Sequence, residues 1–262
     1  AENIPGRTAD PGTVTGLGVS GNGDILYYVD SISAAVRAWN ASGSAKTIAG
    51  ASIGSGNVGT LAGTGFGSTL NALAVHPTSG DVYVADATAG VNKVFKVPAA
   101  GGAPVAFAGN GATSARNDPL TNGVAATSVP LVQPRGLVFD PAGNLYIADT
   151  GHGRVARVDA GGNISSVYQL DVPPPPGSWN NPFISGLAFF GGKLYAALGN
   201  QQTIVEVTNP ASASAAGAVI AGTADTSCDY SSSTCGDGGT IDQAGFNMLG
   251  STATPPDRKS VV

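Results

Sequence analysis

From Pro134 to Val167 the chain reads PRGLVFDPAGNLYIADTGHGRVARVDAGGNISSV. Apolar residues alternate with small or polar ones in short runs, and Gly, Asn, Asp and Pro stand between the runs. A period of two broken by turn formers predicts antiparallel strands, here four in a row with a hairpin turn at Ala142-Gly143-Asn144. One such unit cannot bury both of its faces in water, so further copies are expected. The chain supplies them: GLGVSGNGDILYYVDSISAAVRAWNASG from Gly16, NALAVHPTSGDVYVADATAGVNKVFKVPAAGG from Asn71, and GLAFFGGKLYAALGNQQTIVEVTNPAS from Gly186. A further copy begins at NMLGSTATPPDRKSVV.

The copies share positions. Asp149 ends the second run of the clearest copy, Asp30 and Asp86 stand at the same place in two others, and Gly199 replaces them in the fourth. An outer run ending in Ala-Gly recurs as TIAG at 47–50, FAG at 107–109 and IAG at 220–222. Four short antiparallel strands per repeat predict an all-β propeller rather than a sandwich. Its complete blades are expected at approximately 16–50, 71–109, 135–169 and 185–222, within one domain spanning 1–262. Residues 246–262, with 1–6 as an outer strand, are expected to form a partial fifth, closing blade that lacks one strand. Either the ring closes incompletely, or the chain belongs to a longer propeller, or a neighbouring subunit supplies what is missing; closure by strands from both termini would remove open edges.

The stretch PRGLVFDPAGNLYIADTGHGRVARV resembles an NHL repeat, and VAATSVPLVQPRGL before it resembles that family's inter-blade linker. CGDGGTIDQAGFNMLG looks like the Gly-Asp-Gly-Gly form of the same linker. The resemblance covers most of the chain but is sharp only over 108–158 and 220–250. It implies a β-propeller, in this family usually of about six blades.

Charge narrows the partners. Only 11% of residues are charged, the net charge is -5, and the 12 Lys and Arg are scattered. Phosphate neutralisation requires clustered cations, so a nucleic-acid partner is not expected. No apolar run approaches the ~20 residues that a membrane-spanning helix needs. Cys228 and Cys235, in SCDYSSSTCGDGG, read as a local disulfide or as two free thiols; their spacing fits no zinc or haem motif. A disulfide implies an oxidising compartment, and the opening AENIPG reads as an end left by cleavage. A secreted, extracellular or periplasmic location is therefore expected.

Chemistry-bearing residues are few. Asp30, Asp86 and Asp149 read first as turn-capping carboxylates, since a short acid at a strand end accepts backbone N–H groups. The alternative is a ring of carboxylates that would hold Ca²⁺, the one cofactor entertained. His76 and His152 are the only histidines, too few for a three-His zinc site, and they occupy different repeat positions. Arg135, before an innermost strand, could receive an anion at the channel mouth. His152 and Arg154, in DTGHGR, form the most plausible ligand-facing turn. Trp179, in PPPPGSWNNP, could stack on a sugar or a partner from a stiff loop. No serine nucleophile elbow is present, and the Gly-rich GNGATSARN and GTGFGS lack the helix that a phosphate loop needs.

These observations predict an exported, non-catalytic propeller acting as a rigid protein-interaction or self-assembly module. The alternatives are a metal-dependent hydrolase or lyase at the channel mouth and a carbohydrate-binding propeller. The identity of any small-molecule ligand is not legible in the sequence.

Overall fold

The computed structural model describes residues 3–6, 12–170, 183–199, 201, 203–212 and 215–222. The predicted Trp179 contact, the Cys228–Cys235 disulfide and the closing-blade segment 246–262 all lie outside these residues.

Four antiparallel sheets follow one another along the chain. In blade one, β2 (Val14–Val19), β3 (Ile25–Asp30), β4 (Ala35–Asn40) and β7 (Asn57–Ala62) run from innermost to outer, with β1 (Ile4–Pro5) outermost. Blade two orders β8 (Leu70–Val75), β9 (Val82–Asp86), β10 (Lys93–Val97) and β11 (Val105–Ala108) the same way. Blade three has β13 (Pro134–Phe139), β14 (Leu145–Asp149), β15 (Arg154–Val158) and β16 (Asn163–Gln169), with β12 (Val124–Ala125) outermost. Blade four has β17 (Ile184–Phe190), β18 (Lys193–Leu198), β19 (Thr203–Val207) and β20 (Gly217–Ala221). The innermost strands β2, β8, β13 and β17 pack in succession, which is propeller geometry.

Glycine permits that packing. A Cβ on Gly16 would lie 2.7 Å from the Leu73 amide nitrogen, and one on Gly136 would lie 3.2 Å from Gly186 Cα. Innermost strands therefore approach one another almost backbone to backbone, as the recurrent Gly-Leu-x-Val or Gly-Leu-x-Phe pattern requires.

Each seam between blades is a separate apolar core. β14 shows how one strand serves two of them: Leu145 and Ile147 point into the cluster shared with blade two, while Tyr146 and Ala148 point into the cluster shared with blade four. That is why LYIAD is buried at every position although its side chains alternate. Full burial of each large apolar side chain contributes about 1.5–3 kcal/mol.

Two sequence expectations are corrected. TIAG at 47–50 is not the outer strand of blade one. It forms part of a hairpin, β5 (Lys46–Ile48) and β6 (Ala51–Ile53), inserted before the true outer strand β7. Ala49 and Gly50 both have positive φ, 52° and 76°, as a two-residue hairpin turn demands, and Ile48 and Ile53 anchor the insertion in the first seam. Ile4 and Pro5 likewise do not join a closing blade: they pair with Val58 and Asn57, adding a fifth strand to blade one. β12 extends blade three in the same way, through Ile164 and Asn163. In blade two the equivalent register falls on Pro104, just before β11, and proline has no N–H to offer a further strand.

The hairpin turn of blade three is locked by Asp140. Its carboxylate accepts from the Asn144 backbone N–H at 2.9 Å and side-chain amide at 2.7 Å, and the Tyr146 hydroxyl lies 3.3 Å away. Burial, reinforced by the Asp140 charge, pushes the Tyr146 hydroxyl up to about 12 from its ordinary 10.0. Its neutral form is therefore favoured in the fold. This contribution to stability is complete below pH 10 and is lost as pH rises towards 12. A spectrophotometric alkaline titration should show one tyrosine that ionises last, and Tyr146→Phe should remove that final step.

Candidate functional site

The three repeated aspartates are each used within their own blade. Asp149 Oδ1 accepts the Val132 N–H at 2.8 Å, Asp86 accepts from Gly67 N–H at 2.6 Å and Thr88 N–H at 3.0 Å, and Asp30 accepts from Ser33 N–H at 3.1 Å. Asp86 and Asp149 thereby clip the incoming linker to the end of the second strand. In the fold these carboxylates cap turns and linkers, and among the described residues no three His, Cys, Asp or Glu side chains gather where a metal could be held. His76 belongs to the opposite end of the blades, where its Nδ1 accepts from Thr78 and Ser79 N–H groups and its ring packs edge-on against Phe139. Arg135 is exposed at a register break of β13, its guanidinium 5.6 Å from the centre of the Phe183 ring in blade four.

Blade three is different. Thr150–His152 forms a single 3₁₀ turn, closed by Gly153 at φ 69° with its N–H on Thr150 O at 3.1 Å. Glycine takes this left-handed conformation without strain, and a Cβ there would also push the Arg116 guanidinium, 2.8 Å away, aside. The turn folds His152 back over Asp149, and both side chains are fully buried. This corrects the reading of DTGHGR as a ligand-facing loop.

Three donors converge on Asp149. Besides Val132 N–H, its Oδ2 accepts from His152 Nδ1 at 2.6 Å and Arg154 Nε at 2.8 Å. Arg154 also donates through Nη1 to Asp118 O at 2.7 Å. On the other side of the imidazole, His152 Nε2 lies 2.7 Å from Ser114 Oγ. Nδ1 lies 2.6 Å from the Asp149 carboxylate and 3.2 Å from Arg154 Nη2, and the shorter contact sets the tautomer. A carboxylate only accepts, so Nδ1 carries the proton, and Nε2 is left to accept from the Ser114 hydroxyl. Ser114 belongs to the long linker between β11 and β12, and it borders an open cleft of about 270 Å³ together with Leu120, Val129, Pro130 and Arg154.

The arrangement is a half-buried hydroxyl bonded to a buried imidazole, itself bonded to a buried carboxylate. In sequence, His152 and Arg154 read as one turn and Asp149 as one of three repeated carboxylates, and nothing singles out Ser114. GNGATSARN was tested only as a phosphate loop, and nothing in its spacing shows that it folds back on His152.

The fold and this site define the class: the chain is a β-propeller. More particularly, it carries an NHL repeat, whose sequence model matches residues 131–158, spanning the Asp149–His152–Arg154 turn. No curated protein sequence matches the chain. Solved structures do. A chain of the nidogen/laminin complex is similar with TM-score 0.58 and 17% identity, over 82% of this chain and 66% of that one. A Bacteroides thetaiotaomicron protein of unknown function gives TM-score 0.56 and 20% identity over 74% and 47%. Virginiamycin B lyase from Staphylococcus aureus, in a catalytically inactive form with quinupristin, gives 0.51 and 16% over 80% and 56%. The chain thus spans about half to two thirds of the length of these structures. At such identities the likeness is one of fold, which hosts binding proteins and enzymes alike.

Proposed function

We propose that this propeller is an exported, rigid module for protein interaction or assembly, and that it docks through the free flank of blade one. One observation carries the reading. Gly16 and Gly18 face blade two, so the alternate residues Leu17 and Val19 turn the other way. Leu17 and Val19 keep 63% and 47% of their surface exposed, and Val14 and Ile32 at the adjoining rim keep 41% and 74%. At the seams between blades one to four, such a flank is covered by the innermost strand of the neighbouring blade, and among the described residues none covers this one. Large apolar side chains grouped on one sheet face favour a protein partner, here in its simplest form a second copy of the chain. The scarcity of charge suits a flat contact of this kind, and the presence of a similar chain in a nidogen/laminin complex supports an interaction role.

Sedimentation velocity over a wide concentration range tests the reading. The wild type should associate, and the Leu17→Asp/Val19→Asp double variant should remain monomeric with an unchanged melting temperature. A wild type that is monomeric throughout overturns the proposal. So does a variant that loses thermal stability with no change in mass, because the flank would then be covered by the chain itself.

A further inference from the structure

The interaction reading leaves the Ser114–His152–Asp149 relay unused, and the following inference is independent of it. We propose that Ser114 is an activated nucleophile that accepts acyl groups from small esters entering the cleft beside it, with His152 as its general base. The geometry supplies the nucleophile–base and base–orienter contacts that such a group needs. Ser114 Oγ lies 2.7 Å from His152 Nε2, and His152 Nδ1 is fixed by Asp149 Oδ2 at 2.6 Å. Both distances fall in the range of nucleophile–base and base–orienter hydrogen bonds. His152 and Asp149 are sealed from water, so the imidazole has one orientation, whereas Ser114 opens on the cleft. Asp149 acts only through His152 and is a positioning residue.

The cleft sets the class of substrate. Pro119, Leu120, Val129 and Pro130 give it apolar walls, Thr121 adds a hydroxyl, and Asp118 and Arg154 border it with one charge of each sign, so it carries no net charge to attract an ionic substrate. These walls suit a short, uncharged acyl chain. In the reaction, Ser114 Oγ bonds to the ester carbonyl carbon while its proton moves to His152 Nε2. The carbon–oxygen bond to the leaving group breaks, and that oxygen takes the proton from Nε2. Water then repeats the sequence at the acyl-Ser114 ester, releasing the carboxylic acid and restoring the serine.

A merely structural role competes with this: the same hydrogen bond would pin the 109–123 linker to blade three. The two differ in reactivity. A structural tie leaves Ser114 no more reactive than the exposed serines, whereas a base at Nε2 raises its rate by about 100-fold or more. The test treats the whole chain with p-nitrophenyl butyrate and, separately, with a fluorophosphonate, and locates the adducts by peptide mass spectrometry. The expected result is a single adduct on Ser114, a p-nitrophenol burst stoichiometric with protein, and loss of both in Ser114→Ala. The labelling rate of Ser114 should rise with pH along one protonation step, and that step should vanish in His152→Gln. Labels spread evenly over exposed serines, or a burst retained in Ser114→Ala, overturn the proposal. If His152→Gln does not fold, the site of labelling and the pH profile of the wild type decide: a pH-independent rate at Ser114 removes the base and overturns the proposal.

Discussion

Arg154→Met will destabilise the propeller by about 3–5 kcal/mol, the usual cost of removing one partner from a buried ion pair. The side chain of Arg154 is 2% exposed and that of Asp149 fully buried, so solvent cannot replace the lost guanidinium. Methionine fills much of the volume but donates nothing. Asp149 would keep only Val132 N–H and His152, and the carbonyl of Asp118 would lose its donor. Lysine should not rescue the fold fully. It keeps the charge but cannot donate simultaneously to Asp149 and Asp118, as the fork of Nε and Nη1 does. Arg157→Met provides the contrast. Arg157 is half-buried and donates to Ala211 O at 2.9 Å and Asn144 Oδ1 at 3.4 Å, so its loss should cost about 0.5–1.5 kcal/mol, the net worth of ordinary hydrogen bonds. Urea denaturation reads all three: the Arg154→Met midpoint should fall sharply with an unchanged slope. A shift as small as that of Arg157→Met would mean that the cluster contributes little to the fold.

That cluster also shows where the sequence was legible and where it was not. Blade architecture was readable because both signals are local. Alternation marks strands such as Leu145–Asp149, and glycine marks turns. The aspartate position was readable because Asp30, Asp86 and Asp149 recur in register. What failed was anything dependent on an insertion or on a distant linker. TIAG matched the outer-strand pattern, yet Ala49 and Gly50 take left-handed conformations that turn the chain into an added hairpin. Ile4–Pro5 has no pattern of its own, and its place on β7 is set by pairing across 50 or more residues. DTGHGR reads as a polar, glycine-rich loop because burial of His152 comes from partners far along the chain. Ser114 is 38 residues from His152, and no periodicity links them.

A different seam sets the other large effect. Ile147→Ala should cost about 2–5 kcal/mol, the transfer loss plus the cavity left behind. Ile147 is fully buried at the centre of the core between blades two and three. Blade two presents Ala72, Ala74 and Ala85 to that core, and its large members Tyr83 and Phe107 are already held edge-on, Tyr83 against both Phe107 and Phe139, so neither is free to swing into the gap. The packed innermost strands, already near backbone contact at Gly16 and Gly136, limit how far one blade can slide towards the next. Ile147→Val, which removes one methyl group, should cost about 0.5–1.5 kcal/mol and calibrates the series. Denaturation midpoints at constant slope measure both. A loss below about 1 kcal/mol for alanine would show that the blades move together to close the cavity. Blades that yield so easily at a fully buried seam could not hold the flank of blade one as a fixed docking surface, so this measurement bears on function as well as on stability.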